Sequence, residues 1–464
     1  MKVVIVGNGA LGLTSAYRLL KMDQGVEVTL VGPFARTGNA SLAAAAMYNS
    51  FCELDKNTLI HPMERKKFLL NRAAAPMWPD FLKEIEEDTG QAQDFGFGTF
   101  LIQNFASDRL SIENFGAVMA GLNEFEEPHE MVSVSDIPKY DPEPSMRAAQ
   151  CVYIPNEGWM NPTVFIHSLH DYLSTHNRVT MIDGAAKRVE RQGDRVAGID
   201  LESGDRVQGD QYLLAPGASF TNLVEASNLD LPFPRIYFGM GASILLLTEE
   251  KTLTNCIRTP NLGLACGLYS APHRGGRTLI GASNHISHFP EEGARLTSVQ
   301  VLMSACQEQI QRGFYNSKIL KVNLGWRPTS EDTMPLLGET PIKNLFVATG
   351  NKRDGLHSSP FISQELAKAL LGQPALQGFE EFQPSRKPIR FLKRDKAIEM
   401  AVEHTINAAF QHGMRASAGR MLEDLSKHYQ QQFEDLHDQV GAKDWGIPPE
   451  MLNMYKYGHT SEPS

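Results

Sequence analysis

The sequence has no long apolar run. Its longest candidates, such as Ile244–Leu247, are strand-sized, whereas a helix crossing a bilayer needs about 18–20 apolar residues. No membrane span is therefore expected. Cysteine is scarce. Cys52, Cys151, Cys256, Cys266 and Cys306 form an odd, scattered set without a C-x-x-C pair. That excludes a disulfide-dense scaffold and fits free thiols in a reducing compartment. There is no basic excess either: 44 Lys and Arg stand against 54 Asp and Glu, a net charge of −10. The positive field of a nucleic-acid binder is missing. A secretory leader is also not read, because Lys2–Val6 is already strand-like and leaves no room for charged and apolar leader regions. A cytoplasmic location is the expectation.

What is present is 464 residues, 42% hydrophobic and 21% charged. At about 150 residues per domain this allows two or three domains with real cores. Lys2–Val6 is a short β-branched run of the kind buried on both sheet faces. Leu11–Leu20 carries Leu13, Ala16, Tyr17 and Leu20 on one helical face, and Val26–Val31 is a second strand. Met63–Leu82 reads as a helix broken at Pro76 and Pro79, and Asn161-Pro162 opens another through Leu173. Val179–Ile182, Val196–Leu201 and Gln211–Ala215 read as strands between glycine-containing turns. Phe233–Leu247, Leu262–Tyr269 and Arg277–Ala282 read as an antiparallel group. Thr297–Arg312 is read as a helix, Leu345–Thr349 as a late strand and Ser363–Leu371 as the helix after it.

The composition then shifts. Residues 373–396 carry Pro374, Pro384, Pro388 and a basic run from Arg386 to Lys396, and read as a solvated linker. Ile398–Phe410 is a short helix. Met414, Ala418, Met421, Leu425, Tyr429, Phe433, Leu436 and Val440 are spaced three or four apart, as in one long amphipathic helix.

Gly7-x-Gly9-x-x-Gly12 follows the first strand and opens the first helix. In a dinucleotide site the first glycine permits the turn, the second lets a diphosphate approach the backbone, and the third lets helix and strand pack closely. The helix N-terminus then offers free N–H groups to the phosphates. One expected part is missing. The second strand ends Leu30-Val31-Gly32-Pro33, without the acid that usually holds the ribose hydroxyls. Arg36 instead suits a 2′-phosphate, which keeps an NADP-dependent reductase open. His167 and His170, and His285 and His288, have one-turn spacing but no third ligand, so no metal site is read.

Four further stretches resemble the FAD-dependent amine and amino-acid oxidases, the group of D-amino-acid, sarcosine and glycine oxidases, and glycine oxidases most of all. The first is Ala40-Ser41-Leu42-Ala43-Ala44-Ala45-Ala46-Met47, similar to the small-residue run that lies along the flavin, with Ala46 in place of the usual glycine. The second is Gly158-Trp159-Met160-Asn161-Pro162. The third ends Tyr212-Leu213-Leu214-Ala215-Pro216-Gly217-Ala218. The fourth is Gly325-Trp326-Arg327-Pro328 followed by Pro335-Leu336-Leu337-Gly338, then Gly350-Asn351-Lys352-Arg353-Asp354-Gly355.

The resemblance covers about Lys2 to Gly372 and implies an α/β chain, α+β overall. A Rossmann-type FAD domain (1–50, 150–225 and 325–372) would be interrupted by an antiparallel-sheet substrate domain (51–149 and 226–324). A linker (373–396) and a helical C-terminal extension (397–464) would follow. It implies non-covalent FAD, since no cysteine lies near Arg327 in the sequence. The cofactor contacts it implies are Gly7, Gly9, Ala10, Leu11, Gly12, Ser41, Ala45, Ala46, Met47, Ala186, Gly217, Gly350, Arg353, Asp354, Gly355 and Leu356. Arg327 would grip a substrate carboxylate, Arg353 would be the second pocket arginine, and Tyr269 would stand over the flavin. The reaction implied is hydride transfer from the α-carbon of an amino acid or secondary-amine carboxylate to flavin N5. The imine then hydrolyses and O₂ becomes H₂O₂. A flavin dehydrogenase passing electrons to a quinone or protein is the alternative. The C-terminal stripe must be buried somewhere, either on the core or against a partner, most simply a second copy.

Overall fold

The computed structural model describes residues 1–104, 107–264, 266–411, 414 and 420–461. A six-stranded sheet runs in the order Leu336–Glu339, Leu345–Thr349, Gln211–Leu214, Lys2–Val6, Glu27–Val31, Val179–Ile182. Its neighbours are parallel except for the first pair. The strands are buried on both faces, which is why they read as continuous apolar runs rather than alternating ones. Helices Ala10–Met22 and Ser359–Leu370 pack on one face through Leu13, Tyr17, Ile362 and Leu366. Helix Pro162–Thr175 joins them. Its start is fixed by Asn161, whose side chain accepts from the amides of Thr163 and Val164 ahead of Pro162.

A ten-stranded sheet stands beside it, and its spine is the antiparallel pair Ile236–Leu247 and Lys318–Ser330. Tyr269–His273 and Arg277–Gly281 form a hairpin in this sheet, and Phe95–Asn104 pairs with Ala148–Met160. Three of its strands ignore the domain limits expected from the sequence. Ala148–Met160 runs through position 150, Lys318–Ser330 runs through 325, and Met47–Tyr48 pairs with Trp159 and Gly158 although it lies before 51. A long strand shared by two layers leaves no break in hydrophobic pattern to mark where one ends. A small three-stranded sheet, Arg206–Val207, Arg195–Leu201 and Ala186–Gln192, completes the β structure.

Three further expectations are corrected. Residues 262–264 and 266–268 are not a strand; they lie between strands Cys256–Arg258 and Tyr269–His273. Polar contacts hold this segment instead. Asn261 Nδ2 donates to Glu53 O, while Gly263 N and Leu264 N donate to Asn407 Oδ1 and His404 Nδ1. Second, residues 373–396 are not a solvated linker. Phe382 and Leu392 are buried, Arg386 pairs with fully buried Asp332, and Arg394 already opens helix Arg394–Gln411. Third, the long C-terminal helix is Arg420–Gln439; Met414 is not helical, and Ala418 lies outside the described residues.

The chain after 373 folds back on its own core. Leu436, Ile447, Met451, Leu452 and Tyr455 form a cluster with Tyr237 of the large sheet. Tyr455 donates to Glu331 Oε1 at 2.9 Å, and the Arg390 guanidinium lies 3.7 Å above the Trp445 ring. The apolar stripe of helix Arg420–Gln439 is buried only at its end, at Leu436, while Met421 is exposed. Among the described residues, no helix is long and apolar enough to cross a membrane.

Candidate active site

A cleft of about 500 Å³ opens at the carboxyl ends of the parallel strands, where open α/β sheets place their ligands. Val6-Gly7, Val31-Gly32, Ala215-Pro216-Gly217 and Ala348-Thr349 line it from the six-stranded sheet. Gly241, Tyr269, Ala282 and Gly325-Trp326-Arg327 line it from the ten-stranded one.

The glycines divide by cause. Gly7 has φ +116°, and a Cβ there would collide with the backbone of Ala215. Gly12 does not line the cleft; its hydrogen faces the Gly7 carbonyl, so it serves helix–strand packing. Gly9 is different. A Cβ on it would meet nothing closer than Ser41 Oγ at 3.6 Å. Packing within the chain therefore does not require glycine at this position, but a diphosphate lying against the backbone does. Ala10 and Leu11 begin the helix at this edge, and Ser41 Oγ accepts from the Ala10 amide at 3.0 Å. Ala45, Ala46 and Met47 form a wall of small residues ending in one thioether. Ala46 holds φ +49°, the left-handed conformation that favours the glycine it replaces.

Ala186 and Gly217 also line the cleft, as do Arg353, Asp354, Gly355 and Leu356. Gly350 does not; it turns the chain against Met334 and Leu336. Sequence pattern alone could not separate Gly350 from the lining residues, because a packing glycine and a ligand-facing glycine read alike outside the dinucleotide motif.

Arg327 and Arg353 both reach the cleft, with different partners. Arg327 sits on strand Lys318–Ser330, lying across Gly241. Its Nη1 donates to Ser283 O at 2.9 Å and to Asn284 Oδ1 at 3.1 Å, both neutral acceptors. Arg353 is committed: Nε lies 3.1 Å from Glu53 Oε2, and Nη1 donates to Cys266 Sγ at 3.1 Å. Glu53 also accepts from Arg258 Nη1 at 2.7 Å, and Arg258 is 0% exposed. Burial opposes ionisation of Glu53, but these two guanidiniums outweigh it and hold its carboxyl down to about 2. Burial likewise pushes the Cys266 thiol up, while Arg353 and Arg327 pull it further down, to a net value below the ordinary thiol. A cysteine remote from Arg327 in sequence thus stands beside the arginine pair in space.

Tyr269 is 1% exposed and its hydroxyl has no partner, although it lines the cleft. Burial pushes its pKa well above the usual phenol, so it is neutral. His357 was missed by sequence reasoning. It is buried at the cleft, with Nε2 3.0 Å from both Ser50 Oγ and Asn71 O, and Nδ1 unpartnered. Glu53, Cys266 and Asn284 were missed as well; only their spatial neighbours mark them. Among the described residues, no three His, Cys, Asp or Glu side chains are placed to hold a metal ion.

A family model described as FAD-dependent oxidoreductase, DAO, matches residues 2–369. The chain belongs to this family. It is similar to a D-amino acid dehydrogenase of Azorhizobium caulinodans, 22% identical over 400 residues, covering 76% of this chain and 91% of the relative. It is also similar to a glycine oxidase of Geobacillus kaustophilus, 23% identical over 360 residues, covering 77% and 89%. The fold matches the crystal structure of glycine oxidase from Geobacillus kaustophilus with a TM-score of 0.70 at 20% identity, over 83% of this chain and 98% of that one. As a member of the FAD-dependent oxidoreductase family the protein is a flavoenzyme, and the cleft fits the cofactor. The open side of Gly9, the small wall at Ala43–Ala46 and the helix start at Ala10 suit a dinucleotide with a flat ring system. The chain from 370 onward lies outside the family match, yet it touches the cleft's rim. Glu450 pairs with Lys352, next to Arg353, and Asn407 holds the loop that carries Cys266.

Proposed function

We propose that this flavoenzyme oxidises the carbon–nitrogen bond of an amino acid or secondary-amine carboxylate, with Arg327 as the carboxylate anchor. One observation carries the reading. Among the described residues, Arg327 has no anionic partner, and its hydrogen bonds to the protein leave only through Nη1. Its remaining N–H groups match the two oxygens of a carboxylate. The relatives named D-amino acid dehydrogenase and glycine oxidase support the same substrate class.

Bound FAD supplies the two-electron acceptor. The chain's own residues do the rest. Gly7, Gly9 and Ala10 would present backbone to the diphosphate, and Ala45, Ala46 and Met47 would line the side of the ring system. Arg327 fixes the substrate carboxylate and so directs the Cα–H bond. The buried, neutral hydroxyl of Tyr269 offers the substrate one hydrogen bond, since the protein leaves it unpartnered. Arg353 shapes the neighbouring wall while Glu53 and Cys266 hold it. The amine is bound neutral, the Cα hydrogen leaves with both bonding electrons, and the imine hydrolyses in water. The chain's contribution is orientation, worth several kcal/mol (about 7 or more for a well-aligned pair). The cofactor is held without a covalent bond, and O₂ takes the electrons to give H₂O₂.

Anaerobic mixing with a panel of glycine, sarcosine, D-amino acids and larger secondary-amine carboxylates tests this. Loss of visible flavin absorbance with at least one member is expected, followed on admitting air by rapid recovery and H₂O₂ release. No bleaching by any member refutes the substrate class. Bleaching with slow recovery refutes the oxidase and assigns the electrons to a quinone or protein acceptor.

A further inference from the structure

Arg36 is 8% exposed and lines the cleft beside Gly32 and Pro33. Its Nε and Nη2 are buried without a hydrogen-bond partner. Among the described residues, its guanidinium makes no hydrogen bond and no ion pair within the chain. A buried cation without a counter-charge is costly, because lost hydration is not replaced. The nearest attractive charge is Asp171, which acts at a distance, and burial still lowers the Arg36 pKa. The backbone nevertheless holds the residue in place. Its amide donates to Pro33 O at 3.2 Å, its carbonyl accepts from Asn39 N at 3.1 Å, and its φ is +49°. This turn follows the strand that lacks the usual terminal acid. Gly184, Ala185 and Ala186 line the cleft beside the same strand end, where Gly32 N donates to Ile182 O at 3.1 Å and Phe34 N to Asp183 Oδ1 at 2.7 Å.

We propose that Arg36 is the counter-ion of the FAD diphosphate, replacing recognition of the adenosine by a strand-end acid with recognition of an oxyanion by a guanidinium. Three observations converge on it: the missing acid, the buried unpaired cation and its place on the cleft wall. A guanidinium presents planar, fixed donors that phosphate oxygens accept, and it stays charged when desolvated. A ribose hydroxyl would accept a hydrogen bond but would leave the buried charge uncompensated. The same cation also suits the 2′-phosphate of an NADP-type nucleotide, so the two sources of phosphate need separating.

The test uses purified holoenzyme and reads flavin release, not turnover. Flavin fluorescence on serial dilution gives the dissociation constant for the wild type, Arg36→Lys and Arg36→Met. Arg36→Met is expected to weaken FAD binding by roughly 10- to 100-fold, the worth of a charge-assisted contact. Arg36→Lys, which keeps the charge without the fork, is expected to fall between. ADP, adenosine and 2′,5′-ADP are then added as displacing agents. ADP should displace FAD from the wild type better than adenosine, and Arg36→Met should shrink that difference several-fold, leaving the part due to the backbone at Gly9 and Ala10. A FAD dissociation constant within twofold of wild type in both variants overturns the proposal. So does displacement by 2′,5′-ADP that is stronger than by ADP and lost in Arg36→Met, which would assign Arg36 to a 2′-phosphate. If Arg36→Met does not fold, the Arg36→Lys constant decides alone, with a shift under twofold counting against the proposal.

Discussion

The two cleft arginines lend themselves to opposite outcomes when each is replaced by methionine. Among the described residues, the Arg327 side chain donates hydrogen bonds only to Ser283 O and Asn284 Oδ1. Its removal strands no charge, because both acceptors are neutral and belong to half-buried residues. Its effect on stability is therefore expected to stay within about 1 kcal/mol, the worth of ordinary neutral hydrogen bonds. Its effect on catalysis is expected to be large. Two charge-assisted hydrogen bonds to a carboxylate contribute about 3–6 kcal/mol, so kcat/KM should fall on the order of 10²–10⁴-fold. Arg353→Met removes one of the two cations that hold Glu53 ionised. Breaking a buried pair costs about 3–5 kcal/mol, so this variant should unfold at clearly lower urea concentration, whatever its turnover. The assay is a pair of measurements on each variant: urea midpoints, and flavin reduction rates against substrate concentration under anaerobic conditions. If Arg327→Met loses stability like Arg353→Met, or keeps kcat/KM within threefold, Arg327 is a structural residue and the carboxylate site lies elsewhere.

Glu157 is buried and its pKa is raised to about 7 by burial, although the amides of Phe51 and Cys52 donate to it. A raised folded-state value gives stability that is full below pH 4.5 and lost as pH rises through 7; Glu157→Gln should remove that slope, worth on the order of 3 kcal/mol, in urea midpoints between pH 4.5 and 8. Glu53 has the opposite sign: held at about 2, it stabilises above pH 4.5 and stops doing so as pH falls toward 2. Glu53→Gln should therefore flatten the acid limb while lowering stability at neutral pH by about 3–5 kcal/mol, since Arg258 is left buried and unpaired. Glu450→Gln breaks the pair with Lys352; KM should rise several-fold with kcat and the flavin spectrum little changed, and an unchanged KM would detach the extension from the site.

The parts that were legible depend on local physics. A strand, a glycine turn and a helix start are written within ten residues, so Lys2–Val6 and Gly7–Gly12 could be read directly. The place of Arg327 at the cleft was legible because its neighbours Gly325 and Pro328 share its local pattern. What escaped depends on contacts between distant segments. Cys266 meets Arg353 across 87 residues, and Arg258 meets Glu53 across 205. Each of these residues has an ordinary local setting, and only tertiary packing makes it an electrostatic neighbour. The segment 373–396 misled for the same reason. Prolines and basic residues favour solvated linkers, but Arg386 finds the buried carboxylate of Asp332 and Arg390 finds Trp445 and Tyr455. A basic run thus becomes an anchor when the core leaves acids such as Glu331 and Asp332 without other counter-charges, and those two acids sit on the strand end and turn that follow Arg327. The extension is therefore tied through buried charge to the segment that bears Arg327, the proposed carboxylate anchor, and to the Arg353 turn through Glu450. Any movement of the extension must act on both walls of the cleft together.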